Sequence, residues 1–272
     1  MVAVAAFGRI SRCGIGFLFG PRQKELAMEV IGVAFHWTPA RQAQWQGWAD
    51  QLGAELTLLH THPDRKEHPC FVGNDHFEFG AYARASEHAR TSGPFVVVND
   101  TLLDRHAHGL WAWWLRRHAP GLNILGVDSY PAPRERPPEI PDPYASSWIF
   151  YLPSQADLSA FSAAVTRTLE PVASGESANS GTAATPEPSP AYEAFLRRWL
   201  YHPVPGVGYQ GPRSPADLAR KRQTIIWEHA LSRELQSLGF LKPFQGWKYR
   251  FIRLVDRLLR RLQTAGRGRA HG

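Results

Sequence analysis

The chain has 272 residues, 43% of them hydrophobic and 12% aromatic, with a net charge of +7 from 31 Lys and Arg against 24 Asp and Glu. That composition belongs to a globular chain and not to a disordered one, long enough for one sizeable core, with two small domains as the alternative. No apolar run approaches the roughly 18–20 residues that a transmembrane helix needs, and two cysteines, Cys13 and Cys70, are too few for a disulfide framework, so a reducing, cytoplasmic setting is expected.

Residues 1–27 read as a loose extension, because Arg9 and Arg12 interrupt the apolar stretch that a secretory signal keeps unbroken. Glu29 to Phe35 is a short apolar run stopped by His36-Trp37-Thr38-Pro39, which predicts a buried strand and a turn. Trp45, Trp48, Ala49 and Leu52 follow at helical spacing, and Gly53 stands where the helix stops. Residues 54–59 predict a second strand and residues 77–91 a helix. Phe95-Val96-Val97-Val98, bounded by Gly93-Pro94 and Asn99-Asp100, is the clearest buried strand. A helix over 109–118 carries Trp111, Trp113 and Trp114, expected mainly as packing. Asn123 to Val127 reads as a short strand, Ser147 to Leu152 as another, and 157–169 as a helix. Residues 171–190 are rich in Ser, Gly, Ala, Thr, Pro and Glu and read as a flexible linker or loop. Helices are predicted over 191–200, 215–238 and 244–263.

Strands alternating with helices predict an α/β protein with a mostly parallel sheet and helices on both faces over residues 28–170, followed by a helical region over 191–272. Ligands of such sheets lie beyond the carboxyl ends of the strands, so the ends to inspect are His36-Trp37, His60-Thr61-His62 and Asn99-Asp100-Thr101. A carboxylate there, Asp100, needs a cation, a metal or backbone donors; capping the following helix is the simpler alternative.

Phe95 to Leu103, with its apolar run and Asn99-Asp100-Thr101, resembles a segment of bacterial cell-surface polysaccharide glycosyltransferases of the rhamnan-synthesis type. Three further stretches are similar to theirs in the same chain order: Gly73-Asn74-Asp75-His76-Phe77-Glu78-Phe79-Gly80-Ala81-Tyr82, Tyr144 to Phe150, and Lys221…Glu228-His229-Ala230-Leu231-Ser232. The resemblance implies a GT-A-like, Rossmann-like fold that transfers a sugar from a nucleotide diphosphate donor to a glycan or lipid-linked acceptor. It implies Asp100 as a diphosphate, ribose or metal contact, through Mg²⁺ or Mn²⁺, although this sequence has one carboxylate where Asp-x-Asp has two. His36, Asn74, Glu78, Asn99 and Thr101 would meet the donor, and Ser146, Ser147 and Trp148 would face the acceptor. Glu228 would be the base that deprotonates the acceptor hydroxyl. Glu78 has a structural alternative, an ion pair with Arg84.

Two other classes stay open. His60, His62 and Asp64 resemble the metal-binding opening of a zinc-dependent hydrolase, and a sugar- or nucleotide-binding relative without catalysis is the third reading. Residues 247–262 form a basic amphipathic stretch whose apolar stripe includes Phe251, Val255 and Leu258, with Ile252, Leu254 and Leu259 widening it. It suits either an anionic membrane surface on the cytoplasmic side or packing on the core; no nucleic-acid motif accompanies it.

Overall fold

A computed structural model describes residues 28–73, 76–118, 127–128, 136–142, 144–170, 188–202, 208–209, 211–239 and 251–259. Asn74, Cys13, the extension 1–27, most of the proposed linker and strand 123–127, and both ends of the stretch 247–262 lie outside those residues. Strand β1 (Glu29–Ala34) is buried along its whole length, as a strand covered on both faces must be. Helix α1 (Pro39–Leu52) starts where the Thr38 hydroxyl accepts the Arg41 amide and stops at Gly53, whose φ of 68° is left-handed. Strand β2 (Glu55–His60) leads into a single 3-10 turn, Pro63–Arg65. Then come α2 (Phe77–Ala83), α3 (Ala85–His88), β3 (Phe95–Asn99), α4 (Thr101–Arg105) and α5 (His108–His118). Short strands β4 (Val127–Asp128) and β5 (Tyr144–Ala145) precede β6 (Ile149–Leu152), α6 (Gln155–Leu169), α7 (Pro190–Leu200) and α8 (Pro215–Ser237). A last helix, α9, spans 251–259.

The main sheet has the order β2-β1-β3-β6. β1 runs parallel to both neighbours, with Ala34 opposite His60 and Val33 opposite Asn99. β6 runs antiparallel to β3, Val98 facing Ile149. Its reversed direction brings the residues before it, Ser147 and Trp148, to the same edge as the carboxyl ends of the other three strands.

Alternating side chains build a core on each face. Ile31, Val33, Val97 and Phe150 pack with Phe79, Tyr82, Phe161, Leu231 and Leu235 from α2, α6 and α8. Val30, Val96, Val98 and Ile149 pack with Trp45, Trp48 and Trp111 from α1 and α5, joined by Ile252 of α9. The molecule is therefore an α/β protein with a mostly parallel, mixed sheet between helical layers, in keeping with a Rossmann-like fold. A third cluster joins α7 to α8 through Leu196, Leu200, Ile225 and Ile226. Gly32 lies flat under Trp45: a Cβ there would stand 3.3 Å from the indole and 2.8 Å from Leu58 Cδ2.

Three expectations change. The helix predicted over 77–91 breaks at Arg84 and ends at His88. Ser162 of α6 takes up the groups freed by the break, accepting the Ser86 amide at 3.2 Å and donating to the Tyr82 carbonyl at 3.0 Å. The strand predicted over Ser147 to Leu152 starts at Ile149, since Ser147 and Trp148 form a turn. Of the strand predicted over Asn123 to Val127, Val127 is described, and it pairs with Ala145 in a separate two-stranded sheet.

Candidate active site

Four residues singled out in the sequence meet at one point of the carboxyl edge. Ser147, 6% exposed, donates its amide to Glu228 Oε1 at 2.9 Å and its hydroxyl to Glu78 Oε1 at 3.2 Å. Its carbonyl accepts the Tyr82 hydroxyl at 2.6 Å and the Asn99 amide at 3.4 Å. Glu78 and Tyr82 are four apart on α2 and so share a face. Ser232, one turn beyond Glu228 on α8, accepts the Ala145 amide at 2.8 Å and donates to the Glu228 carbonyl at 2.7 Å. The late-helix pattern in the sequence thus has a structural reading: Glu228 and Ser232 grip the turn before β6, and Leu231 fills the core behind it.

Electrostatics sharpen the pair. The Glu78 carboxyl is enclosed although the residue as a whole is half-buried, and this desolvation raises its pKa. The charge of Lys221 and the Ser147 hydroxyl pull it back down, while the charge of Glu228 adds to the rise. Tyr82 is held well above the usual phenol range by burial and by the charge of Glu78, so it stays a donor. Trp227 of α8 packs beside the start of α2, its ring 5.6 Å from His76 and 6.1 Å from Phe77. Phe77 has a φ of 53°, a conformation that costs a bulky residue energy and recurs where function demands it.

Asp100 is 3% exposed and faces the β1–α1 loop. Its Oδ2 accepts the amides of Phe35 at 2.7 Å and His36 at 3.2 Å, and its Oδ1 accepts the Trp45 indole N–H at 3.2 Å with Arg41 Nε at 3.9 Å. Burial raises its pKa; the two amides and Arg41 oppose the rise. Asp100 makes no side-chain cap on α4; instead Asn99 Oδ1 accepts the Thr101 amide at 3.0 Å. The Asp100 carboxylate therefore ties the ends of β3 and β1 together, with His36 exposed above the tie. Donors already fill both its oxygens, so a divalent ion there would have to displace them. Among the described residues no three His, Cys, Asp or Glu side chains gather as metal ligands.

The other strand end, at β2, divides its histidines. His60 is 2% exposed, stands edge-on to His68 with ring centres 4.5 Å apart, and has its pKa lowered to about 4 by burial, with His68 and Arg65 adding to the shift. His62 turns back to accept the Asp64 amide at 3.3 Å. Beside them the Arg65 guanidinium lies 4.3 Å from the Trp37 ring centre. Trp37 Nε1 and Arg65 Nε are both buried without a hydrogen-bond partner. Arg65 has no carboxylate partner among the described residues, so a rigid guanidinium and an indole N–H stand next to each other, both lacking an acceptor.

The remaining expected residues sit apart. Ser146 is half-buried. Trp148 is 6% exposed and stacks on His106 at 3.9 Å, inside the core on the α1–α5 face. Glu78 does not pair with Arg84, which bridges Glu87 at 3.0 Å. Trp111 and Trp114 are packed, whereas Trp113 is exposed at a hollow of about 490 Å³ between α1 and α5 that shares no residue with the carboxylate cluster. Tyr82 and the Trp37–Arg65 pair were missed from the sequence. Tyr82 had a signal, its i+4 spacing from Glu78; the pair had none.

Fold and site together describe an α/β protein with a half-buried, hydrogen-bonded carboxylate cluster at the carboxyl edge of its sheet. Comparison with protein-family models, curated proteins and solved structures gives no match.

Proposed function

We propose that the chain is a glycosyltransferase of GT-A type, moving a sugar from a nucleotide diphosphate to a surface glycan or lipid-linked acceptor on the cytoplasmic side of the membrane. The observation that carries this reading is the meeting of Glu78 and Glu228, from helices far apart in the chain, on Ser147 beside the carboxyl end of β3. In the proposed step Glu228 takes the acceptor hydroxyl proton, the freed oxygen attacks the anomeric carbon, and the bond from that carbon to the diphosphate breaks. The electron pair leaves with the diphosphate. The unpaired guanidinium of Arg65 and the indole N–H of Trp37 supply the acceptor-seeking donors that stabilise it. Glu78, whose proton affinity is raised by its setting, keeps a second carboxyl at the donor. Asp100 positions the loop bearing His36 and Trp37, and its oxygens, already taken by two amides and an indole N–H, do not fit a metal.

This arrangement favours the transferase over the zinc hydrolase, since His60 and His62 face different neighbours. The test is nucleotide release from a panel of nucleotide diphosphate sugars with glycan and lipid-linked acceptors, each with and without Mn²⁺. Glu228→Gln is expected to lower kcat by about 10²–10⁴-fold, the usual worth of a general base, and Arg65→Ala to raise KM for the donor. Binding of a donor with no turnover by the unaltered protein points to the non-catalytic relative. Failure to bind any of them, read by thermal shift, overturns the proposal.

A further inference from the structure

The basic charge of the chain is not shared out along it. Residues 240–272 hold nine Lys or Arg and a single acid, Asp256, which leaves 22 Lys or Arg against 23 acids for all the other residues. Without that stretch the protein is close to neutral; with it the charge is +7. The one acid is 1% exposed and works inside the fold: its Oδ1 accepts the Ala107 amide at 2.7 Å and its Oδ2 lies 3.0 Å from His106 Nδ1. The acid that would balance this stretch is therefore turned into the fold, and Arg257 lies exposed.

The geometry of α9 supplies the second half. Ile252 and Asp256, one turn apart, point inward and fix the helix against the α1–α5 face. At 100° per residue the outward arc then carries Phe251, Leu254 and Leu258, exposed by 60%, 53% and 49%, with Leu259 at 37% beside them. Arg257 lies exposed on the polar flank of that arc. Three large apolar side chains on one exposed stripe are not the solvated face of a terminal helix.

We propose that α9 is a docking face for an anionic lipid surface, with Phe251, Leu254 and Leu258 entering the headgroup–acyl boundary, Arg257 meeting the headgroups, and the excess positive charge of residues 240–272 favouring an anionic surface. A second copy of the chain is a poor occupant, because it would bring two strongly basic faces together. A nucleic acid would leave the apolar stripe uncovered. The inference stands on charge and exposure alone and does not depend on the transferase reading.

The experiment is co-sedimentation of the full chain with phosphatidylcholine vesicles, with and without phosphatidylglycerol, at low and high salt. Binding is expected with the anionic vesicles, falling as salt rises. Each of Phe251→Ser, Leu254→Ser and Leu258→Ser is expected to weaken it about tenfold, by removing apolar area from the boundary; these positions are exposed, so the melting temperature checks that the fold is kept. No sedimentation with anionic vesicles overturns the proposal. So does equal binding by the triple variant, and so does a dimer in sedimentation velocity that the triple variant abolishes.

Discussion

Among the described residues, Glu29 and Asp100 are buried carboxylates at opposite edges of the main sheet, and both are held by donors. Glu29, at the amino end of β1, accepts the Thr57 hydroxyl at 2.7 Å and the Arg90 and Thr91 amides at 2.9 Å. Asp100, at the opposite edge, accepts two amides and an indole N–H. In each case the donors replace the water that burial removes, as a charge in a low-dielectric interior requires. Truncating either side chain strands those donors. Asp100→Ala is expected to destabilise the fold by about 2–4 kcal/mol, seen as a lower urea midpoint. Asp100→Asn, which keeps one acceptor, should cost less. Unchanged stability in Asp100→Ala would mean that the side chain faces solvent or a ligand rather than the β1 loop.

Helix α8 binds the region after residue 190 to the sheet. Its Leu231 and Leu235 enter the core, and its Glu228 and Ser232 hold the turn before β6. Ser232→Ala leaves the Ala145 amide without its acceptor while Ser147 keeps its bond to Glu228, and the expected cost is about 1–2 kcal/mol; on the proposed transferase reading, kcat should fall far less than in Glu228→Gln. A melting curve and a kcat measurement on the same variant check both halves. The main strands and helices could be read from local signals: apolar runs for β1 and β3, helical spacing in α1, a glycine at its end. A resemblance carried by short motifs in order named Glu78, Asn99, Ser147 and Glu228, which the fold brings together on Ser147. What escaped was set by contacts between distant residues. The antiparallel direction of β6 leaves no mark in a period-two pattern. β5 is two residues long and is held by Ser232 rather than by propensity. The break at Arg84 depends on Ser162, some eighty residues on. Asp256, which carries no local signal of burial, joins Ile252 in anchoring the buried face of α9.

For the molecule as a whole, acid is expected to be the weakness. His60 and His229 are both buried and have their pKa values lowered by desolvation, to about 4 and about 3. An unfolded chain protonates both near pH 6.5, whereas the folded one does not. Stability therefore falls as pH drops below about 6.5 and goes on falling towards the folded values, by up to ~1.4 kcal/mol per pH unit for each group. Glu78 and Asp100 have the opposite sign. Their raised pKa values mean that the folded state holds those protons more tightly, so their contributions are present in acid and lost as pH rises through the raised values. His68, His88 and His108, also lowered by burial, add to the side of the two histidines. Urea unfolding at pH 7 and pH 5 should show the loss, and His229→Gln, with no proton to gain, should remove about half of it. An equal slope in the variant would place the acid sensitivity elsewhere.

The clasp on Ser147 also sets an order of events during synthesis. Glu78 and Ser147 emerge from the ribosome before α8, and Glu228 follows Ser147 by about 80 residues. At roughly 5–20 residues per second that interval is on the order of 4–16 s. Well before its end all four strands of the main sheet have been made, but the turn before β6 has no helix to grip it. A chain released before α8 would carry the sheet without its second carboxylate.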